Sequence, residues 1–161
     1  MRLEQEVLEE AIPVREHTDH HDAELLLRLY DMRREEKLRQ AREWFAREYR
    51  GETAEAFTRK YPPGSDENAF FRMLVSYWEM VASIVNRGLI NQEFFFENTG
   101  EFFAVWEKIK AGMPAIRESF KNPHLWKNLE VLAGNYEKWM SKRAPEAIDA
   151  FRERLRAMSK K

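Results

Sequence analysis

Asp66-Glu67-Asn68-Ala69-Phe70-Phe71-Arg72-Met73-Leu74-Val75-Ser76-Tyr77-Trp78-Glu79-Met80-Val81-Ala82-Ser83-Ile84-Val85-Asn86-Arg87 reads as one helix with a single thin polar line. Asn68, Arg72, Ser76, Glu79, Ser83 and Asn86 step by four or three, and the residues between them are almost all apolar. An amphipathic surface helix carries a polar face, whereas a helix that is apolar around most of its circumference is packed on most sides. This segment is therefore predicted to be the centre of a helical bundle, or to be covered by a second subunit. Ser65 stands where an N-cap is needed, and Gly88 stands at the C′ position, with Leu89 following for the usual hydrophobic contact.

The flanking sequence repeats the same grammar. Upstream, one long helix is predicted from Asp19 to Arg50, started by Thr18 or Asp19 with Asp22 in its first turn, and stopped by Gly51. Its apolar residues form two groups, Leu25 to Met32 and Leu38 to Tyr49. The turn Arg33-Arg34-Glu35-Glu36-Lys37 separates them, so both ends are expected to be buried and the middle solvated. Glu24–Arg28, Glu35–Arg39 and Glu43–Arg47 are acid-before-base pairs at i,i+4, each worth about 0.2–0.5 kcal/mol to an exposed helix. Thr53 caps a short helix that Pro62-Pro63-Gly64 ends. Downstream, Asn91 and then Thr99 or Gly100 open two short aromatic segments, and Pro114 permits another. Asn122-Pro123 is read as a cap and N1 proline for a helix with the seam Leu125, Leu129, Leu132, Tyr136 and Trp139. Pro145 restarts the chain into a last helix.

No run alternates at period two, and the 6 Gly and 6 Pro are too few for the turns of a β-sandwich. The predicted fold is thus all-α: one helical bundle domain over residues 19–161, with a long first helix and a nearly all-apolar central one. Residues 1–18 form an N-terminal arm, where Leu3, Val7, Leu8 and Ile12 fit either a short docking helix or a frayed end.

Composition narrows the function classes. The 27 basic and 28 acidic residues balance, leaving no global field to attract nucleic acid. On the predicted first helix, glutamates interleave with Arg28, Arg33, Arg34, Lys37, Arg39 and Arg42, which cancels the local field as well. With no cysteine, disulfides, thiolate nucleophiles and Cys-bearing zinc sites are excluded. The most apolar stretch is interrupted by Arg72 and Glu79, short of the ~20 residues of a membrane span. The charged start Met1-Arg2-Leu3-Glu4 has no apolar h-region, so no signal peptide and a cytoplasmic location are expected.

Tyr77-Trp78-Glu79, Asn86-Arg87-Gly88-Leu89-Ile90, Glu93-Phe94-Phe95, Gly100 and Trp106-Glu107-Lys108 resemble a family of bacterial all-helical proteins known as a domain of unknown function. Leu27-Arg28-Leu29-Tyr30-Asp31-Met32-Arg33-Arg34-Glu35 is similar to the opening helix of some members. The resemblance runs roughly from Glu24 to Arg117. It implies a helical fold and carries no activity or catalytic residues with it.

Three constellations are candidates for chemistry. His17, His20, His21 and Asp22 are the one cluster of metal-ligand types. His17 and His21 have the spacing of a zinc-protease helix, but Thr18 stands where the required Glu should follow; His21-Asp22 resembles the dyad of HD-type phosphohydrolases, which need another His well upstream, where here nothing but His17 precedes it. Carboxylate pairs such as Glu52-x-x-Glu55 and Glu146-x-x-Asp149 have Mg²⁺-binding spacing but fall in segments that read as surface. The polar line of the central helix, with Arg72, Ser76 and Glu79, is either a solvent stripe, a register-fixing network or the floor of a ligand pocket ringed by Tyr77, Trp78 and nearby aromatics, with Trp106 close to it. No cofactor motif is present. The leading expectation is a non-catalytic interaction or scaffolding module that self-associates as a homodimer, because aromatics form 13% of the chain and are enriched at interface cores. A binder of an unidentified small molecule is the alternative, followed by a metal-dependent phosphohydrolase.

Overall fold

A computed structural model describes residues 17–160; the arm expected over 1–18 lies almost wholly outside them. The described residues form helices α1 (His20–Arg33), α2 (Glu36–Arg47), α3 (Ala54–Lys60), α4 (Asp66–Asn86), α5 (Gln92–Asn98), α6 (Glu101–Ile109), α7 (Met113–Ser119), α8 (Lys127–Arg143) and α9 (Ala147–Ser159), with a 3₁₀ turn at Lys110–Gly112. Among the described residues there is no strand. The fold is all-α, as read from the sequence.

Helix α4 is the axis of the molecule. It packs chiefly against α2 on one side and α8 on another, with α5 folded back beside it. Phe71, Leu74, Val75, Tyr77, Trp78, Val81, Ala82 and Val85 are buried along it. The chain itself thus covers most of the apolar circumference that the sequence left open to a second subunit. Around this axis α6 packs on α8, and α8 on α9. The caps follow the sequence closely: Ser65 Oγ accepts from Asn68 N at 3.2 Å, Thr53 Oγ1 from Ala56 N at 3.2 Å, and Asn91 Oδ1 from Phe94 N at 2.9 Å. After α4, Gly88 (φ 74°) allows Leu89 N to donate to Ile84 O and Gly88 N to Val85 O, a Schellman closure.

Two sequence expectations are corrected. The long first helix is two helices, broken at Arg34-Glu35. Leu29 of α1 and Leu38 of α2 are both buried, yet nine residues on a straight helix place them about half a turn out of phase. The all-polar turn yields instead: Glu35 adopts φ −55°, ψ 143° and its carboxylate caps Leu38 N at 3.0 Å, so Leu29 and Leu38 both face the core. Of the expected i,i+4 pairs, Glu43–Arg47 closes at 2.8 Å.

Asn122-Pro123, for its part, does not start α8. Asn122 Oδ1 accepts from His124 N within a tight turn, Trp126 takes left-handed φ 55°, ψ 33°, and the helix begins at Lys127 without a side-chain cap of its own. Glu79 of α4 supplies the cap across the bundle. Its carboxylate accepts from Asn128 N (3.1 Å), Asn128 Nδ2 (3.0 Å) and Leu129 N (2.8 Å), where a helix N-terminus presents unpaired donors and a positive dipole end. Asn86, two positions further along the same polar line, donates to Asn128 O at 3.0 Å.

Candidate functional site

Near the start of α4, Phe71 borders a recess closed by α3 on one side and by the α7–α8 connection on the other. Phe57 comes from α3, Phe71 from α4, Ile116 from α7, and Phe120, Leu125 and Trp126 from the connection. Together they wall a cavity of about 700 Å³, within the roughly 300–1,000 Å³ typical of small-molecule sites. Phe57 and Phe71 have ring centroids 4.8 Å apart, and Trp126 meets Phe71 edge-on at 5.8 Å. Phe120 stands on the lip with 71% of its surface exposed.

The wall on the connection side is held at a cost. Lys121 (φ 51°) and Trp126 (φ 55°) are both non-glycine residues in the left-handed region, each costing on the order of 1–2 kcal/mol. Trp126 is released from helical geometry because Glu79 caps α8 in its place, so the capping carboxylate and the cavity wall are one construction.

The rim is polar. Asn68, Arg72 and Ser76 contribute from α4, with Glu52, Thr58 and Ser119 around the rest. Arg72 is exposed, and its Nε donates to Asn68 Oδ1 at 3.1 Å. The Ser76 hydroxyl donates to the Arg72 carbonyl. Glu52 is held by Lys60 Nζ at 3.3 Å and by Arg50 N at 3.2 Å. At the inner end, burial, then the charge of Glu52 and the neighbouring Tyr61, pushes the Tyr49 hydroxyl well above its ordinary range, so it stays a neutral phenol.

Of the sequence-derived candidates, Arg72 and Ser76 line this cavity, and Trp78, Glu79 and Trp106 do not. Trp78 lies two residues beyond Ser76, about 200° around the helix, and is 1% exposed on the opposite side. There its Nε1 donates to Glu101 Oε1 at 3.4 Å, beside a smaller recess of about 270 Å³ that it lines with Tyr30, Arg33 and Tyr77. Trp106 packs half-buried against the core. Glu79 shares a face with Arg72 but sits two turns along it and is committed to α8. Trp78 and Tyr77 thus line the smaller recess, whereas the rings around the larger one are Phe57, Phe71, Phe120 and Trp126. Sequence reading missed them because α3 and the α7–α8 connection approach α4 only in three dimensions, and Trp126 had been assigned to a helix interior.

The histidine cluster does not assemble either. His17, His20 and His21 are exposed, and among the described residues no three His, Cys, Asp or Glu side chains are grouped to hold a metal. Asp22 is fully buried. Its Oδ2 accepts from Asp19 N at 2.8 Å in a reciprocal capping box, and its Oδ1 accepts from Asn91 N at 2.6 Å, pinning the start of α1 to the start of α5.

Charge elsewhere is spent on helix docking. Glu101 takes a bidentate clamp from Arg42, with Nη2–Oε2 at 2.7 Å. Lys108 lies against the last turn of α2, its Nζ donating to the carbonyls of Phe45 (2.9 Å), Tyr49 (3.3 Å) and Ala46 (3.4 Å). Burial, and then the charge of Arg50, lower its pKa to about 8. Burial works to raise Glu107, but hydrogen bonds from Arg152 and Lys110 outweigh it and hold the carboxyl below its ordinary value.

The molecule is therefore an all-α domain threaded by a central helix, with a ring-lined cleft opening at one end of it. It belongs to the family described as a domain of unknown function (DUF4760), whose profile matches residues 18–139, from the N-cap region of α1 through most of α8 and every residue lining the cleft. No curated protein matches the chain, and no solved structure matches it. No described helix is long and apolar enough to cross a membrane.

Proposed function

We propose that this domain is a non-catalytic binding module and that the Phe57–Phe71–Trp126 cavity is its ligand site. The observation that carries the reading is the cleft itself: about 700 Å³ lined mainly by aromatic and aliphatic side chains, within the size range of small-molecule sites. Phe120 stays 71% exposed at its lip, and exposed apolar surface of this kind marks a ligand or interaction site. Its lining holds no histidine or cysteine, and its carboxylate, Glu52, is paired with Lys60. Those groups suit holding a ligand better than activating one. Ligand binding to the native state alone raises the melting temperature. A thermal-shift screen of apolar and amphipathic metabolites is expected to yield stabilising compounds whose effect disappears in Ser119→Trp, where an indole at the rim closes the mouth. A flat screen with intact wild-type protein refutes the reading.

Self-association is a second reading with its own support. Leu27 and Tyr30 lie one turn apart on α1 and are 64% and 48% exposed, a surface on which a second copy would bury rings. A monomer mass by light scattering across the micromolar range removes it. A cytoplasmic location stays part of the proposal and is checked by fractionation.

A further inference from the structure

We propose that the cavity takes a free, single-chain amphiphile with an anionic head group, its tail among Phe57, Phe71 and Trp126 and its head on the Arg72 guanidinium. This rests on the cavity reading above and adds the sign and shape of the ligand. Three observations set the sign. Arg72 lines the cavity, and among the described residues no carboxylate lies within ion-pair distance of it. Its Nε is anchored by Asn68 Oδ1 at 3.1 Å, which fixes the plane of the guanidinium while both terminal nitrogens remain available, the geometry that favours bidentate recognition of a carboxylate, sulfate or phosphate. The competing charge on the rim is already answered: Glu52 is 15% exposed and bound by Lys60 Nζ.

Shape follows from the division between wall and rim. The wall rings lie at 4.8 Å and 5.8 Å from Phe71, and apart from the Tyr49 phenol and the Trp126 indole N–H the wall is hydrocarbon, so the inner part of the ligand is mainly hydrocarbon. The Ser76 hydroxyl donates to the Arg72 carbonyl, the Thr58 hydroxyl to Ala54 O and the Asn68 amide to Tyr61 O, which leaves the guanidinium as the charged donor that reads the head, with the Ser119 hydroxyl beside it on the rim. A tail and one charged end at the mouth complement this arrangement; a cationic or zwitterionic head would be repelled or unsatisfied there.

The test is isothermal titration of the full chain with octanoate, decanoate and dodecanoate, with decanol as the uncharged match and decyltrimethylammonium as the cationic one, all below micelle-forming concentrations. Each added methylene is expected to tighten binding about fourfold, and decanoate to bind on the order of tenfold tighter than decanol. In Arg72→Gln the advantage of decanoate over decanol is expected to vanish with decanol unchanged, and Arg72→Lys to recover part of it. Equal affinity for decanoate and decanol in the wild type overturns the anionic head while leaving the cavity reading intact. Absence of binding by every member of the series overturns both. Retention of the decanoate preference in Arg72→Gln, with an unchanged melting temperature, assigns the head to another group and sinks the role of Arg72. Binding to anionic phospholipid vesicles without binding to any free amphiphile counts against the proposal too, because it would place the ligand on a membrane surface.

Discussion

Glu79 shows how one residue type can serve two quite different ends. Along α4 it belongs to a polar line that sequence alone reads as a solvent stripe, a register-fixing network or a pocket floor. In space it accepts three hydrogen bonds from the uncapped start of α8. Glu79→Ala leaves those donors unpaired and is expected to cost about 2–3 kcal/mol, read from urea denaturation, with hydrogen exchange accelerated at Asn128 and Leu129. Glu79→Gln, which keeps one acceptor, is expected to lose about half as much. The loss should extend to the cavity, since Trp126 is positioned by the same junction. Lys108 carries a pH dependence on the alkaline side. Its folded pKa of about 8 lies below its ordinary 10.5, so between these values the unfolded chain binds more protons and stability rises with pH. Below pH 8 both states are protonated and the burial cost is fully present; above 10.5 it is gone. The stability difference between wild type and Lys108→Met is expected to move in favour of the wild type from pH 8 to 10.5. A flat difference, or a carbon-detected Lys108 titration near 10.5, would contradict this. The chemistry of each residue was legible in the sequence. Its partner was not, because Glu79 and Asn128 are brought together by tertiary packing alone.

Helices in this protein are ended by local signals and oriented by distant ones. Thr53, Ser65 and Asn91 cap from the sequence position where such residues are expected, since side chain and N–H lie within three residues of one another. The breaks at Glu35 and Trp126 escaped that logic. In the first, two apolar groups out of phase on a straight helix both had a face to bury, and the chain bent to satisfy both. In the second, a proline after an Asn was read as a helix start, whereas the helix waits for a carboxylate from another element. Gly51 also serves an inter-element demand. It combines φ +75° with a position where a Cβ would stand 2.8 Å from the Lys108 carbonyl oxygen. Gly64 has φ +93° and open space around it. Gly64→Ala is therefore expected to cost about 1–2 kcal/mol for the left-handed backbone alone, and Gly51→Ala clearly more, because the α2–α3 connection must also move off α6. Thermal melts of the two variants separate strain from clash; equal losses would show that α6 yields freely.

At the scale of the molecule, ion pairs act as fasteners between helices laid around α4. Arg152 of α9 reaches Glu107 of α6 at 3.0 Å and Glu137 of α8 at 3.0 Å, joining the last helix to two others. The Glu107 carboxyl is held below its ordinary 4.5. Its contribution is present above that value and lost as pH falls through the lower folded one. Arg152→Met is expected to destabilise the domain by about 1–2 kcal/mol at neutral pH and by less at acid pH, once the lowered Glu107 carboxyl protonates in the wild type as well. Denaturation at the two pH values checks this; an undiminished effect at low pH would assign the loss to packing of the Arg stem. The covering of α4 belongs to the same scale. The sequence left its apolar face to either neighbouring helices or a second chain, and α2, α5 and α8 of the same chain are what lie against it.

The spacing of apolar side chains determined that this chain is helical, that Asp66–Asn86 is its axis and where most helices stop, because those outcomes depend on neighbours three or four residues away. Tertiary structure alone decided which helix caps α8, which way the polar line is spent and that an aromatic cavity opens beside Arg72. Those depend on residues such as Phe57, Phe71 and Trp126 meeting across long stretches of chain. Hydrophobic burial is non-directional: it dictates that these rings leave water, but not which of them will face one another.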